Sequence, residues 1–155
     1  MDIKKARVKN VNIRAATERD YPDLRMIYLE SRRRTFHWAE TEKMTIDDFD
    51  RDTVDEYVLL AEEDNHILGF ASLYLPDNFI HNLFVHPDFF CKGIGGLLLD
   101  ASIAQMNPPV RLKCVSENHN AMKFYEKNGW QKVVEEEKLG EKYWVLVYES
   151  GSSLT

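Results

Sequence analysis

The stretch from Asn78 to Asp100, NFIHNLFVHPDFFCKGIGGLLLD, constrains this chain more than any other. It reads as a buried strand from Phe79 to Val85 and a His86-Pro87-Asp88 turn, then a glycine-bearing loop from Cys91 to Gly96 that opens an apolar helix. The first-turn N–H groups of a helix have no intrahelical partner, and the helix dipole favours negative charge there. Glycines let the backbone approach a ligand closely and adopt turns that a Cβ would block. The unit is therefore a candidate phosphate cradle. A tight strand-to-helix connection without a ligand is the competing reading.

Two common phosphate motifs do not fit. The residue three after Gly95 is Leu98, so the dinucleotide spacing G-x-G-x-x-G is absent. No Gly-Lys-Ser/Thr follows a glycine at Walker A spacing. At 155 residues the chain has the length of one domain with its own core. A formal net charge of −6 argues against a general nucleic-acid binder, which would carry a basic field. No apolar run approaches the roughly 18 residues of a membrane span, and Met1 to Asn10 has no apolar core of a signal peptide. Cys91 and Cys114 show neither disulfide framework nor metal spacing, so the expectation is two free thiols in a reducing cytoplasm. The scattered histidines form no metal motif.

Along the chain, Val11 to Ala15 alternates like a strand. Thr17 reads as an N-cap with Asp20 in the N3 region and Pro22 in the first turn. Leu24, Ile27, Tyr28 and Ser31 continue a helical face to about Arg34. Arg32-Arg33-Arg34 reads as a solvated helix end favoured by the dipole, or as an attractor of an acidic acceptor. Thr45 caps a short helix carrying Ile46 and Phe49. Strands follow at Tyr57 to Glu62, Ile67 to Leu75 and Phe79 to Val85, separated by polar turns. After the helix from about Gly93 to Met106 come a strand at Val110 to Val115 and a helix at Glu117 to Asn128. Two last strands, Trp130 to Val134 and Lys142 to Tyr148, close the pattern. The order is β-α-α-β-β-β-α-β-α-β-β, a mixed α/β sheet in one domain over residues 11–149. Residues 1–10 read as a loose basic start and 150–155 as a loose tail.

Both halves of this pattern resemble one superfamily, the GCN5-related N-acetyltransferases. Its pyrophosphate loop, Gln/Arg-x-x-Gly-x-Gly/Ala, matches Phe90-Cys91-Lys92-Gly93-Ile94-Gly95. Leu83-Phe84-Val85-His86-Pro87 looks like the strand end that precedes it. The second signature, Asn-x-x-Ala-x-x-Phe-Tyr-x-x-x-Gly-Phe/Trp, is matched in full from Asn118 to Trp130. The resemblance covers roughly residues 11–149 and implies the acyl-CoA N-acyltransferase-like fold. One departure stands out: Phe90 replaces the Gln/Arg and Cys91 the usual following glycine. Backbone N–H groups survive both changes, whereas a polar side chain is lost. Cys91 reads either as a residue that tolerates the turn or as a thiol activated by the helix N-terminus.

The resemblance implies acetyl-CoA as cofactor, anchored by the loop at Phe90, Cys91, Lys92, Gly93, Gly95 and Gly96. It implies that Leu83, Phe84 and Val85 offer backbone groups to the pantetheine arm. Asn118 would contact that arm, alongside the plain role of helix N-cap. Tyr125 would give a proton to the departing thiolate; its competing reading is a core aromatic.

A lysine-like amine near pKa ~10.4 costs about 4–5 kcal/mol to deprotonate at pH 7. His81, two residues before Leu83, is the candidate base, with a satisfied core histidine as the rival reading. Period-two alternation would put His81, Leu83 and Val85 on one face and Asn82 and Phe84 on the other. The acceptor is expected between the first two helices and the last hairpin, near Phe36, His37, Trp38, Glu40 and Glu42, a stretch that also reads as a solvated loop. The resulting expectation is a cytoplasmic N-acetyltransferase acting on an amine of a small molecule or protein, with no nucleic-acid or membrane partner; the resemblance allows for a homodimer. Its rivals are a non-catalytic acyl-CoA-binding module and an interaction protein with an empty loop.

Overall fold

The structure is a computed structural model and describes residues 10–35, 41–89 and 93–149. Phe36, His37, Trp38, Glu40, Phe90, Cys91 and Lys92, like the basic start and the tail, lie outside the described residues. Seven strands among the described residues form one sheet: β1 (Asn12–Ala15), β2 (Tyr57–Glu63), β3 (His66–Tyr74), β4 (Phe79–Val85), β5 (Val110–Val115), β6 (Gln131–Lys138) and β7 (Glu141–Tyr148). Among the described residues four α-helices accompany them: α1 (Tyr21–Thr35), α2 (Asp48–Asp52), α3 (Ile94–Ala104) and α4 (His119–Lys127). The spatial order is β1-β2-β3-β4-β5-β7-β6. All neighbours are antiparallel except β4 and β5, which α3 joins as a parallel βαβ crossover. This is the mixed α/β order read from the sequence.

Local chemistry explains the boundaries. The Asp20 carboxylate accepts the Thr17 N–H at 2.8 Å and closes a 3-10 turn at Glu18–Asp20, so α1 starts at Tyr21, four residues after its sequence-level cap. The Asp48 carboxylate accepts the Thr45 N–H at 2.9 Å and turns the chain into α2, which buries Phe49. Asp64 and Asn65 both take positive φ, which suits the two-residue turn between β2 and β3. β6 runs past the expected Val134 to Lys138. Its acidic Glu135–Glu137 segment pairs with β7 while staying exposed, so no apolar alternation marks it in the sequence.

Alternation along β2 divides the core between the two faces. Val58 and Leu60 pack with Leu24, Ile27, Tyr28, Phe49 and Phe70 beneath α1 and α2. Leu59 packs on the other face with Leu73, Ile80, Leu99, Leu112 and Leu146. Gly69 marks the tightest strand approach: a Cβ there would sit 2.6 Å from the Phe84 carbonyl oxygen, so only glycine fits.

Candidate active site

β4 and β5 pair only at Phe79–Arg111 and Ile80–Leu112. Beyond those pairs the strands part, β4 continuing to Val85 and β5 to Val115. Their facing edges carry backbone polar groups with no strand partner, the kind of surface an extended, amide-bearing ligand can pair with. A cavity of about 210 Å³ fills the gap. Ile80 to Phe84 form one wall and Leu112 to Val115 the other; Tyr28 and Arg32 of α1, Ala121 and Tyr125 of α4, and its N-cap Asn118 complete it.

A bulge sits where the strands part. Ser72 pairs with Asn82 and Leu73 with Ile80, which leaves His81 without a partner on β3. This corrects the simple alternation. Leu83 and Val85 do share a face and pack against the cluster of Ile94 and Leu98, but His81 does not join them. Its Nδ1 lies 2.7 Å from Glu56 Oε2 instead. Asn82 is buried and donates to Ser72 Oγ at 2.8 Å, which pins the other side of the bulge.

Two cavity residues have shifted acidities relevant to proton transfer. The hydrogen bond to Glu56 raises the His81 pKa above its ordinary value, against the lowering effect of burial. Burial raises the Tyr125 phenol, with a smaller contribution from nearby Cys114, so it holds its proton at neutral pH. No residue among those described hydrogen-bonds the Tyr125 hydroxyl. Burial pushes the Cys114 thiol up to about 11, so it stays protonated and a poor nucleophile.

The cavity brings together His81, Leu83, Phe84, Asn118 and Tyr125. Asn118 caps α4, accepting the Ala121 N–H at 3.2 Å, so its capping role holds while it faces the cavity. Gly93, at φ 82°, is the N-cap of α3, and Gly95 and Gly96 lie in the first turn. A Cβ on Gly95 would lie 3.3 Å from the Phe124 ring and 3.8 Å from Val85 Cγ2. Gly95 thus seats the α3 N-terminus against both the end of β4 and the residue beside Tyr125. Glu42 is exposed in the turn Thr41–Lys43 and does not line the cavity.

Sequence reasoning missed Glu56 and misread Arg32. Glu56 precedes β2 and meets His81 only through the fold. Arg32 is no solvated helix end: it is 8% exposed, its Nε donates to the Tyr28 carbonyl and its Nη1 to Asp48. Arg33 and Arg34 remain exposed. The spacing Leu24, Tyr28, Arg32 was the available signal, since it continues the buried stripe of α1. Among the described residues no group of three or more ligating side chains could hold a metal, and no helix is long and apolar enough to cross a membrane.

Fold and cleft define a class: a sheet parted between its parallel strands, with a glycine-led helix beside the gap. The model of the Acetyltransferase (GNAT) family matches residues 21–130, and the chain belongs to that family. A curated relative, the "Uncharacterized N-acetyltransferase YhfO" of Bacillus subtilis, is 35% identical over 86 residues, 48% of this chain; the match spans 58% of the relative's length. Among solved structures, apo YjaB from Escherichia coli superposes at a TM-score of 0.75 with 21% identity, covering 90% of this chain and 97% of that one. The PaiA N-acetyltransferase from Thermoplasma acidophilum in complex with coenzyme A gives 0.74 with 21% identity, over 91% and 99%. A ribosomal-protein-alanine N-acetyltransferase from Brucella melitensis gives 0.69 with 20% identity, over 90% and 99%. At these identities the structural likeness establishes the fold.

Proposed function

We propose that this protein transfers an acetyl group from acetyl-CoA to a primary amine of a small molecule or protein, by direct attack within a ternary complex. The observation that carries the reading is the gap between β4 and β5, where His81 and Tyr125 line one cavity. The residues present fit the cosubstrate. The parted edges of β4 and β5 suit an amide-bearing arm, and the α3 N-terminus at Gly93, Gly95 and Gly96 suits a pyrophosphate. The sequence adds Phe90, Cys91 and Lys92 to that cradle, and Phe36, Trp38 and Glu40 to the acceptor side. Bound acetyl-CoA supplies a thioester carbonyl to the attacking amine.

His81 takes the ammonium proton at Nε2, since Nδ1 is engaged by Glu56. Its raised pKa makes it a stronger base than free histidine and narrows the mismatch with the amine. Tyr125 donates its phenolic proton to the departing thiolate; burial keeps it protonated until then. The protonated state of Cys114 favours direct attack over a relay through that thiol. A cytoplasmic location, expected from the two cysteines, and a homodimer, expected from family likeness, belong to this proposal.

The test is thermal stability with and without acetyl-CoA, followed by turnover on a panel of amines. Linkage predicts about 2.7 kcal/mol of stabilisation at one hundred times the dissociation constant. Gly95→Trp should abolish it, because the side chain would displace Phe124 and fill the cradle. No shift at millimolar acetyl-CoA would overturn the reading. A shift without turnover of any amine would make the protein an acyl-CoA-binding module.

A further inference from the structure

Glu56 is an incompletely satisfied carboxylate in contact with His81, which lines the cavity. Its side chain is 9% exposed, one oxygen meets His81 Nδ1 at 2.7 Å, and the buried Oε1 has no hydrogen-bond partner. Burying a carboxylate with so few partners is costly, and native folds keep such arrangements where they serve a purpose.

Two local irregularities create the pair. Asp55 takes a left-handed φ of 64°, while the Glu56 N–H bonds the Thr53 carbonyl at 3.1 Å, which aims Glu56 out of the turn after α2. The bulge in β4 withdraws His81 from pairing with β3. Neither a regular turn nor a regular strand would bring these side chains together.

We propose that Glu56 is a positioning residue for the transfer reaction: it accepts the Nδ1 proton of His81, fixes the imidazole in the tautomer with a free Nε2, and faces the imidazolium that forms. The inference rests on the amine-acetylation reading above. In the step concerned, the N–H bond of the acceptor ammonium breaks, its electron pair stays on the amine, and the proton bonds to His81 Nε2. The Nδ1 proton stays in place, and the new positive charge is met by the Glu56 carboxylate.

The other groups around His81 agree with this. Asp52, at the end of α2, also favours the protonated imidazole. From β4 itself, the Phe79 ring lies 6.2 Å away, centroid to centroid. Two cations line the same cavity: Arg32, on α1, is engaged by Asp48, and Lys113, on β5, lies 5.1 Å from the Tyr143 ring. Tyr28 of α1 bonds Asp52, and Tyr125 of α4 keeps its proton.

The test compares wild type with the isosteric Glu56→Gln in two readouts. The first is the 15N spectrum of His81 without any substrate. The expected result is the Nδ1–H tautomer in wild type and its loss in the variant, because a glutamine can donate to Nδ1. The second is the pH profile of kcat/KM on any amine that is turned over. The imidazole must be neutral to act, and Glu56 raises its pKa. The acidic limb should therefore move to lower pH in Glu56→Gln, and the plateau should drop about tenfold to a hundredfold. The acetyl-CoA-induced thermal shift should survive, which shows that the variant is folded and that the cofactor site is intact. An Nε2–H tautomer in wild type, or an acidic limb unmoved by the substitution, overturns the proposal. If no amine is turned over, the enzymatic reading falls, and the spectrum alone decides whether Glu56 sets the tautomer.

Discussion

Two polar clusters in this molecule use the same side chains to opposite ends. At the mouth of β1, Arg14 spends all five of its N–H groups: two pairs on Asp20 and Glu62 at 2.9–3.1 Å and one bond to the Ala15 carbonyl. The Asp20 carboxylate also accepts the Thr17 N–H. On the cavity wall Arg32 leaves Nη2, and behind His81 Glu56 leaves Oε1, buried without partners. Asp20 and Glu56 are equally buried, each 9% exposed in the side chain, so burial does not separate them. Completeness of hydrogen bonding does. The closed cluster ties β1, β2 and the entry to α1 together, whereas the open one stands beside a gap in the sheet. Breaking the first should cost stability and breaking the second should cost rate.

The largest expected effect lies at the open side. Tyr125→Phe removes a hydroxyl that no described residue bonds, and it keeps the ring stacked edge-on with Phe124 and Trp130. Loss of a general acid should lower kcat about a hundredfold. Folding stability and acetyl-CoA affinity should stay within about 0.5 kcal/mol of wild type. A thermal melt and steady-state kinetics on the same preparation check both halves. A drop in melting temperature with kcat intact would assign Tyr125 to packing and remove it from the chemistry.

Arg14→Ala is the opposite case. It leaves Asp20 buried and short of its main partner, which should cost about 1–3 kcal/mol, toward the low end because Arg14 is itself 35% exposed in the side chain. kcat should not change at a temperature where both proteins are folded. The sign with pH follows from Asp20. Arg14 holds its carboxyl well below the ordinary value of 3.8, against the raising effect of burial. The stabilisation is therefore present above that ordinary value and lost as pH falls through the lower native one. Denaturant melts of both proteins should converge in strong acid and differ most from weakly acidic to neutral pH.

The contrast also explains what the sequence could reveal. Strand and helix order were legible because apolar residues form a short continuous run in Val58 to Ala61 and recur with helical spacing in Leu24, Ile27 and Tyr28. The Thr17–Asp20 turn was legible because a cap and its partner lie three residues apart. Asn118 and Tyr125 were legible because one short motif on α4 carries both into the cavity. Glu56 and His81 are 25 residues apart and meet through a left-handed turn and a bulge, neither of which has a glycine to announce it. Arg32 was hidden by its neighbours: three successive arginines read as solvent, although helical periodicity turns the first one inward.

The smallest expected effect sharpens the boundary between the two clusters. Tyr28 also lines the cavity, but its hydroxyl donates to Asp52 Oδ2 at 2.6 Å. Tyr28→Phe keeps the ring, which sits edge-on to Phe49, Phe70 and Phe84 beneath the Arg32 guanidinium. Asp52 retains two bonds from Arg51, at 2.8 and 3.2 Å. The loss should be about 1 kcal/mol, or roughly 2–4 °C in Tm for a chain of this size. Burial alone would raise the Asp52 carboxyl, yet the bonds from Arg51 and Tyr28 outweigh it and hold its pKa below the ordinary value. The Tyr28 contribution is thus present above that ordinary value and fades in acid, as for Asp20 but more weakly. Matched melts and steady-state kinetics of Tyr28→Phe and Tyr125→Phe at neutral pH would check the point. The two substitutions delete the same atom from one cavity. If Tyr28→Phe costs rate without stability, the open cluster extends along α1 to the Asp52 pair, and the line between holding the fold and serving the reaction must be redrawn there.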